Sequence, residues 1–329
     1  LEAKGIQGNL VDQTSGHEIN DFLFLPGDKL ADLQSNGPVK ISIGENGPLV
    51  ASLVIESEAP GCRKLTRELR LRAGADYLEL IDDIDKLAQR EGKESVNFAF
   101  PFNVPDGVLK LDVPFGEMRP DTDQIPGSCK NWFTVNRWAD VANQDYGVTW
   151  VTLDAPLIEV GGLTARLLNS QTDPGVWRKK VEQTQKFYSW VMNNHWGTNY
   201  RRYQEGHARF RYFLRPHRAA NSADISRFAL GFSQPLLIKP ATDAAPTEPL
   251  LQVGSGTVLV PLLKPSDDGQ AWIVRLFEAT GETQKVKLDW GNRQPRAVFV
   301  SDTSERAGEK ISGPISLRGF GLMTIRVEF

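Results

Sequence analysis

The chain has 329 residues, 40% of them hydrophobic and 24% charged, which is the make-up of a globular protein long enough to bury a full core. Its 38 Lys and Arg against 41 Asp and Glu leave a net charge of −3, which argues against a protein built mainly to hold nucleic acid or an anionic membrane. The longest apolar runs, such as 258–263, fall far short of the ~20 residues of a membrane-spanning helix, and Cys62 and Cys129, with no CxxC and no His nearby, suit neither a zinc site nor a disulfide scaffold.

Alternation of apolar and polar residues predicts strands over 48–56, 63–72, 77–84, 95–100, 133–141, 148–153 and 208–214. In 63–72, Leu65, Leu69 and Leu71 share one face, with Lys64, Thr66, Glu68 and Arg70 opposite. In 208–214, Phe210, Tyr212 and Leu214 alternate with arginines that read as a solvent face and not as a nucleic-acid patch. One short helix is predicted over 223–230, with Ser222 as its cap, Asp224 in its first turn and Gly231 just beyond its end. Strands follow over 257–262, 272–277, 286–289 and 323–329. The 29 Gly and 20 Pro are spread along the chain, and turn residues recur between the strands. The pattern reads as all-β, an antiparallel sandwich without alternating β and α units. Prolines crowd 232–254 and disfavour regular pairing, so the chain divides into a large β domain at 1–235, a Pro-rich linker at 236–255 and a small β-sandwich at 256–329.

Residues 187–217 read FYSWVMNNHWGTNYRRYQEGHARFRYFLRPH, hold three of the four histidines, and follow a region rich in Trp. Indole plates on the CH faces of a sugar, with amides and charges at the polar rim, make a carbohydrate surface. The same Trp residues also serve as core filler in large β-sandwiches. Asn193-Asn194-His195-Trp196-Gly197-Thr198-Asn199-Tyr200 reads as a loop or strand end, so Tyr188, Asn194, His195, Trp196 and Asn199 are the candidate substrate-binding residues. The spacing of His195, His207 and His217 matches no compact metal motif. Glycoside hydrolysis requires paired carboxylates, and no pair can be placed from sequence. Nor is there a GxSxG elbow, a P-loop or a GxGxxG fingerprint, and no catalytic residue is assigned.

Several phrases, in order, resemble the C-terminal region of glycoside hydrolase family 38, the α-mannosidases. They are Gly5-Ile6-Gln7-Gly8-Asn9-Leu10-Val11-Asp12 with Ser15-Gly16-His17-Glu18, then Glu45-Asn46-Gly47-Pro48-Leu49, then Ile84-Asp85-Lys86 with 93–102. Gly147-Val148-Thr149-Trp150 with Asp154-Ala155-Pro156, the NNHWGTNY segment, and Leu263-Lys264-Pro265 with 272–276 complete the set. The resemblance implies a galactose-mutarotase-like antiparallel supersandwich followed by a small β-sandwich. It also implies that the zinc ion, the aspartate nucleophile and the general acid belong to an N-terminal catalytic domain, because the match begins at residue 5. No cofactor is expected in this chain. Its partners on this reading are carbohydrate, as mannosides, and its own N-terminal catalytic domain, and the chain alone is expected to lack turnover. Two rivals remain. One is a stand-alone carbohydrate-binding module; the other is a mutarotase-like epimerase using His195 or His207 with Glu159 or Glu205.

Overall fold

The computed structural model describes the chain apart from residues 4, 7, 90, 165–176, 196–200, 239 and 241–248. It is nearly all β and antiparallel, in two units: Leu1–Val113 with Met118–Ala220, and Pro114–Glu117 with Asn221–Phe329.

The first unit is built on two sheets. The smaller runs, in spatial order, through Phe133–Thr134, Leu157–Val160, Lys186–Asn193, Glu94–Pro101, Asp21–Pro26 and Gln34–Ser35. The larger runs through Val39–Asn46, Val50–Ser57, Cys62–Arg72, Leu78–Lys86, Gly206–Arg218, Tyr146–Thr152, Trp138–Ala142 and Val108–Val113. Period-two alternation sends Phe22, Val96, Phe98, Phe100 and Phe187 from one sheet against Leu65, Leu80, Ile84, Trp150, Phe210, Tyr212 and Leu214 from the other. Trp150 and Tyr212 stack at 5.3 Å, and Phe100 meets both edge-on. The Tyr212 hydroxyl donates to Ser189 Oγ at 2.9 Å, a polar bridge between the sheets. Trp138, Trp150 and Trp190 are buried, so these three serve as core filler. On the far side of the Phe210 strand, Arg209 pairs with Asp83, Arg211 with Asp154 and Arg215 with Asp76, the solvent face that the alternation predicts.

The predicted 133–141 strand is two strands. Phe133–Thr134 belongs to the smaller sheet and Trp138–Ala142 to the larger, and the chain crosses between sheets over 135–137. The predicted 286–289 strand is likewise split, because Gln284–Val286 pairs with Ile315–Leu317 and Leu288–Asp289 with Gln252–Val253.

In the second unit, a sheet ordered Val258–Pro265, Trp272–Glu278, Leu322–Glu328 and Ala297–Ser301 packs Val274, Leu276, Ile325 and Val327 with Val286, Trp290, Ile315 and Leu317. The helix spans Ser222–Ser233 and is capped by Asn221, not Ser222; Asn221 Oδ1 accepts from the backbone N–H groups of Ala223 and Asp224. It runs past Gly231, because a lone glycine costs a helix only about 1 kcal/mol. Both cysteines are free thiols.

Candidate functional site

On Leu78–Lys86 the inward residues Leu80 and Ile84 are followed, two positions on, by Lys86; on Glu94–Pro101 the inward Val96 and Phe98 are preceded by Glu94. The alternation therefore aims an ammonium and a carboxylate into the space between the sheets, where the strands end. Lys86 Nζ lies 2.5 Å from Glu94 Oε1, donates to the Leu87 carbonyl at 2.9 Å, and sits 5.9 Å from the centre of the Phe24 ring. Lys86 is 2% exposed.

Around this pair, strand ends and their loops line an open cleft of about 380 Å³, with Asp154, Val191, Met192, Asn193, Asn194, Arg202, Tyr203, Gln204, Ala208 and Phe210 on its walls. That volume suits a small ligand. Asp154 is gripped by Arg211 through two guanidinium bonds of 2.9 Å and one backbone bond of 2.9 Å. Asn194 ties the rim together: its Oδ1 accepts from Glu94 N at 2.5 Å and its Nδ2 donates to the Gly92 carbonyl at 3.1 Å. Cys62, the cross-strand partner of Lys86, is buried, and burial pushes its thiol up to about 11, so it is no nucleophile at neutral pH. Glu94 and Asp154 are both engaged by cations. The cleft offers hydroxyl groups fixed acceptors, amides and an ammonium, which is recognition chemistry.

The residues singled out from sequence fall in different places. Asn194 lines the cleft. Tyr188 lies on the outer face of the smaller sheet with Leu23, Ala99 and Leu163, and the His17 ring meets it edge-on at 5.8 Å. Burial, and then the charge of its cross-strand neighbour Glu159, pushes the Tyr188 phenol up to about 12. His195 is fully buried, its ring 5.9 Å from Trp190, and no described residue bonds either ring nitrogen. Burial, with Lys93 adding to it, lowers His195 to about 4, so the ring is neutral at pH 7. Trp196 and Asn199 lie outside the described residues.

Glu159 is fully buried and pushed up to about 8, although Thr164 N donates to it at 2.7 Å. His207, by contrast, lies across from Asp85 on the larger sheet, and Glu205 is paired with Arg201 at 2.7 Å. His207 and Glu159 thus stand on different sheets, which separates that one pairing of an epimerase acid and base. Among the described residues no three His, Cys, Asp or Glu side chains converge as a metal ion requires. Lys86, Glu94 and Asp154 were missed as site residues. For the first two the signal was present: a charge in register with an inward apolar row.

Residues 12–155 match the family model "Glycosyl hydrolases family 38 C-terminal domain", and residues 257–325 match "Glycosyl hydrolases family 38 C-terminal beta sandwich domain". Among solved structures, the chain is similar to a protein in the glycosyl hydrolase family 38 from Enterococcus faecalis, with TM-score 0.70 and 15% identity, over 97% of this chain and 41% of that one. It is similar also to an alpha-mannosidase from Enterococcus faecalis V583, with TM-score 0.70 and 16% identity, over 97% of this chain and 40% of that one. At these identities the likeness is one of fold. The chain spans about two fifths of the length of those structures. No curated protein matches the sequence significantly.

Proposed function

Since this chain belongs to glycosyl hydrolase family 38, as its C-terminal β region, we propose that it supports the N-terminal catalytic domain of an α-mannosidase-type hydrolase and lends that domain polar contacts to the sugar. The observation that carries this reading is the pair of family models, matched in chain order on the two units. The cleft supports it from the chemical side. Its carboxylates are spoken for by Lys86 and Arg211, so it is equipped to hold hydroxyls and not to shuttle protons. Nucleophile, general acid and zinc are assigned to the catalytic domain, and no step of hydrolysis is derived from residues of this chain.

The test is an assay of the isolated chain, with and without zinc, on an aryl α-mannoside, beside the same chain joined to the catalytic domain. Turnover is expected only in the joined form. Robust hydrolysis by the isolated chain overturns the assignment.

The cleft, with polar groups from both sheets on its rim, also favours a second reading, independent sugar binding. Calorimetry of the isolated chain with mannose and manno-oligosaccharides separates the two. Saturable heat at millimolar sugar supports a binding module; its absence leaves the supporting role alone.

A further inference from the structure

The larger sheet is wider than the core it covers. Across its strands, Ile43, Leu53, Leu69 and Leu80 form one row of register partners, and Ile41, Ile55, Arg67 and Asp82 the next. Both rows lie on the inward face, because Leu80 belongs to the core. Along the first row exposure climbs from 1% at Leu80 to 45% at Leu53 and 69% at Ile43. Val39, Ile41 and Leu71 on the same face are each about half exposed. The core-facing side of the sheet therefore continues as a bare aliphatic shelf. A contiguous patch of this kind, unlike single scattered residues, calls for a covering partner.

The reverse side of the same strands is built for water. Lys64 pairs with Glu56 at 2.6 Å, Arg70 with Glu68 at 3.0 Å and Arg72 with Glu79 at 3.1 Å. The free edge is blunted as well. The pairing of Val39–Asn46 shifts register between Ile43 and Asn46, Glu45 N turns to Ser52 Oγ at 2.9 Å, and Lys40 stands on the strand. Bulges and lysines are the devices that discourage strand addition from a second copy. What is left open is the face, not the edge. The Enterococcus faecalis structures share this fold over only about two fifths of their chains, so there the β region is accompanied by more polypeptide than it contains itself.

We infer that the shelf of Val39, Ile41, Ile43, Leu53 and Leu71 is the seat of the N-terminal catalytic domain, which covers it with an apolar surface of its own. This rests on the supporting role proposed above. The seat holds by buried aliphatic area, so a charge placed on it weakens the complex, while a charge on the reverse side does not.

The experiment titrates the isolated chain with the separately produced catalytic domain, for wild type, the double variant Ile41→Glu/Ile43→Glu, and the reverse-face control Ser42→Glu. All three positions are exposed, and circular dichroism checks that each variant keeps the wild-type fold and Tm. The double variant is expected to bind at least about tenfold more weakly and Ser42→Glu within about twofold of wild type. Wild-type binding that neither variant weakens, or that both weaken equally, overturns the seat while leaving the supporting role standing. A wild-type chain that never binds the catalytic domain overturns the supporting role itself. If sedimentation shows a dimer of the isolated chain that Ile41→Glu/Ile43→Glu disperses and the catalytic domain does not, the shelf belongs to a second copy and the inference fails.

Discussion

Lys86 and Glu94 meet at 2.5 Å where two neighbouring apolar rows run out, and the pair is almost wholly withdrawn from water. Removing one partner strands the other's charge. Glu94→Gln is expected to cost about 3–5 kcal/mol, whereas Lys86→Met with Glu94→Leu costs far less, because both desolvated charges disappear together. Urea unfolding of the two variants measures the difference, and equal losses would show that the pair holds no uncompensated charge.

Stability should fall on the alkaline side of neutrality. Burial raises Asp82 and Asp112 to about 7 and Glu159 to about 8, so each carboxyl binds more proton folded than unfolded from about pH 4 upward. That contribution to stability is present at low pH and is lost as pH rises through the folded values. Buried His195, lowered to about 4, works the other way, adding stability as pH rises from about 4 to 6.5, and is spent above that. Between pH 6.5 and 8 the carboxyls prevail, and Tm is expected to drop by roughly 3–6 °C. Glu159→Gln should flatten that limb in a calorimetric scan across pH.

Gly61 has a φ of +73°, and a Cβ there would fall far inside van der Waals contact with the edge of the Phe24 ring. Phe24 is the ring beside Lys86, so the loop and the buried cation are packed through one side chain. Gly61→Ala is expected to destabilise by about 1–3 kcal/mol, from strain and overpacking together. Chemical denaturation with an unchanged m-value would place the loss in the folded state.

Two side chains of the cleft can be cut back at little risk to the fold, since Arg202 is exposed and Tyr203 half-buried. If the cleft contacts sugar, Tyr203→Ala and Arg202→Ala should raise KM for an aryl α-mannoside in the joined hydrolase about three- to tenfold, with Tm within 1–2 °C of wild type. Unchanged KM in both would move sugar contact elsewhere.

Much of the strand pattern was legible because one face of a strand met the core and the other met water, as with Phe210, Tyr212 and Leu214 against Arg209, Arg211 and Arg215. Where that contrast vanished, so did the signal. Phe22 to Leu25 are buried on both faces and do not alternate. Val39–Asn46 does alternate, with Val39, Ile41 and Ile43 against Lys40 and Ser42, and there the readable pattern was passed over. The split of 133–141 was hidden because changing sheets needs only three residues and no glycine. Of the site, the Asn194 rim was visible as a loop rich in amides. Lys86 and Glu94 were not read, because nothing local says that rows 8 residues apart end side by side.

The Tyr212 hydroxyl reaches Ser189 across the sandwich. Joined there, the two sheets cannot slide past one another without breaking a buried bond, which holds the gap between their ends against shear. A guest at that gap meets walls already in place and loses little affinity to rearrangement. Selectivity for any guest of that gap then follows from fit to a frame the guest does not have to build.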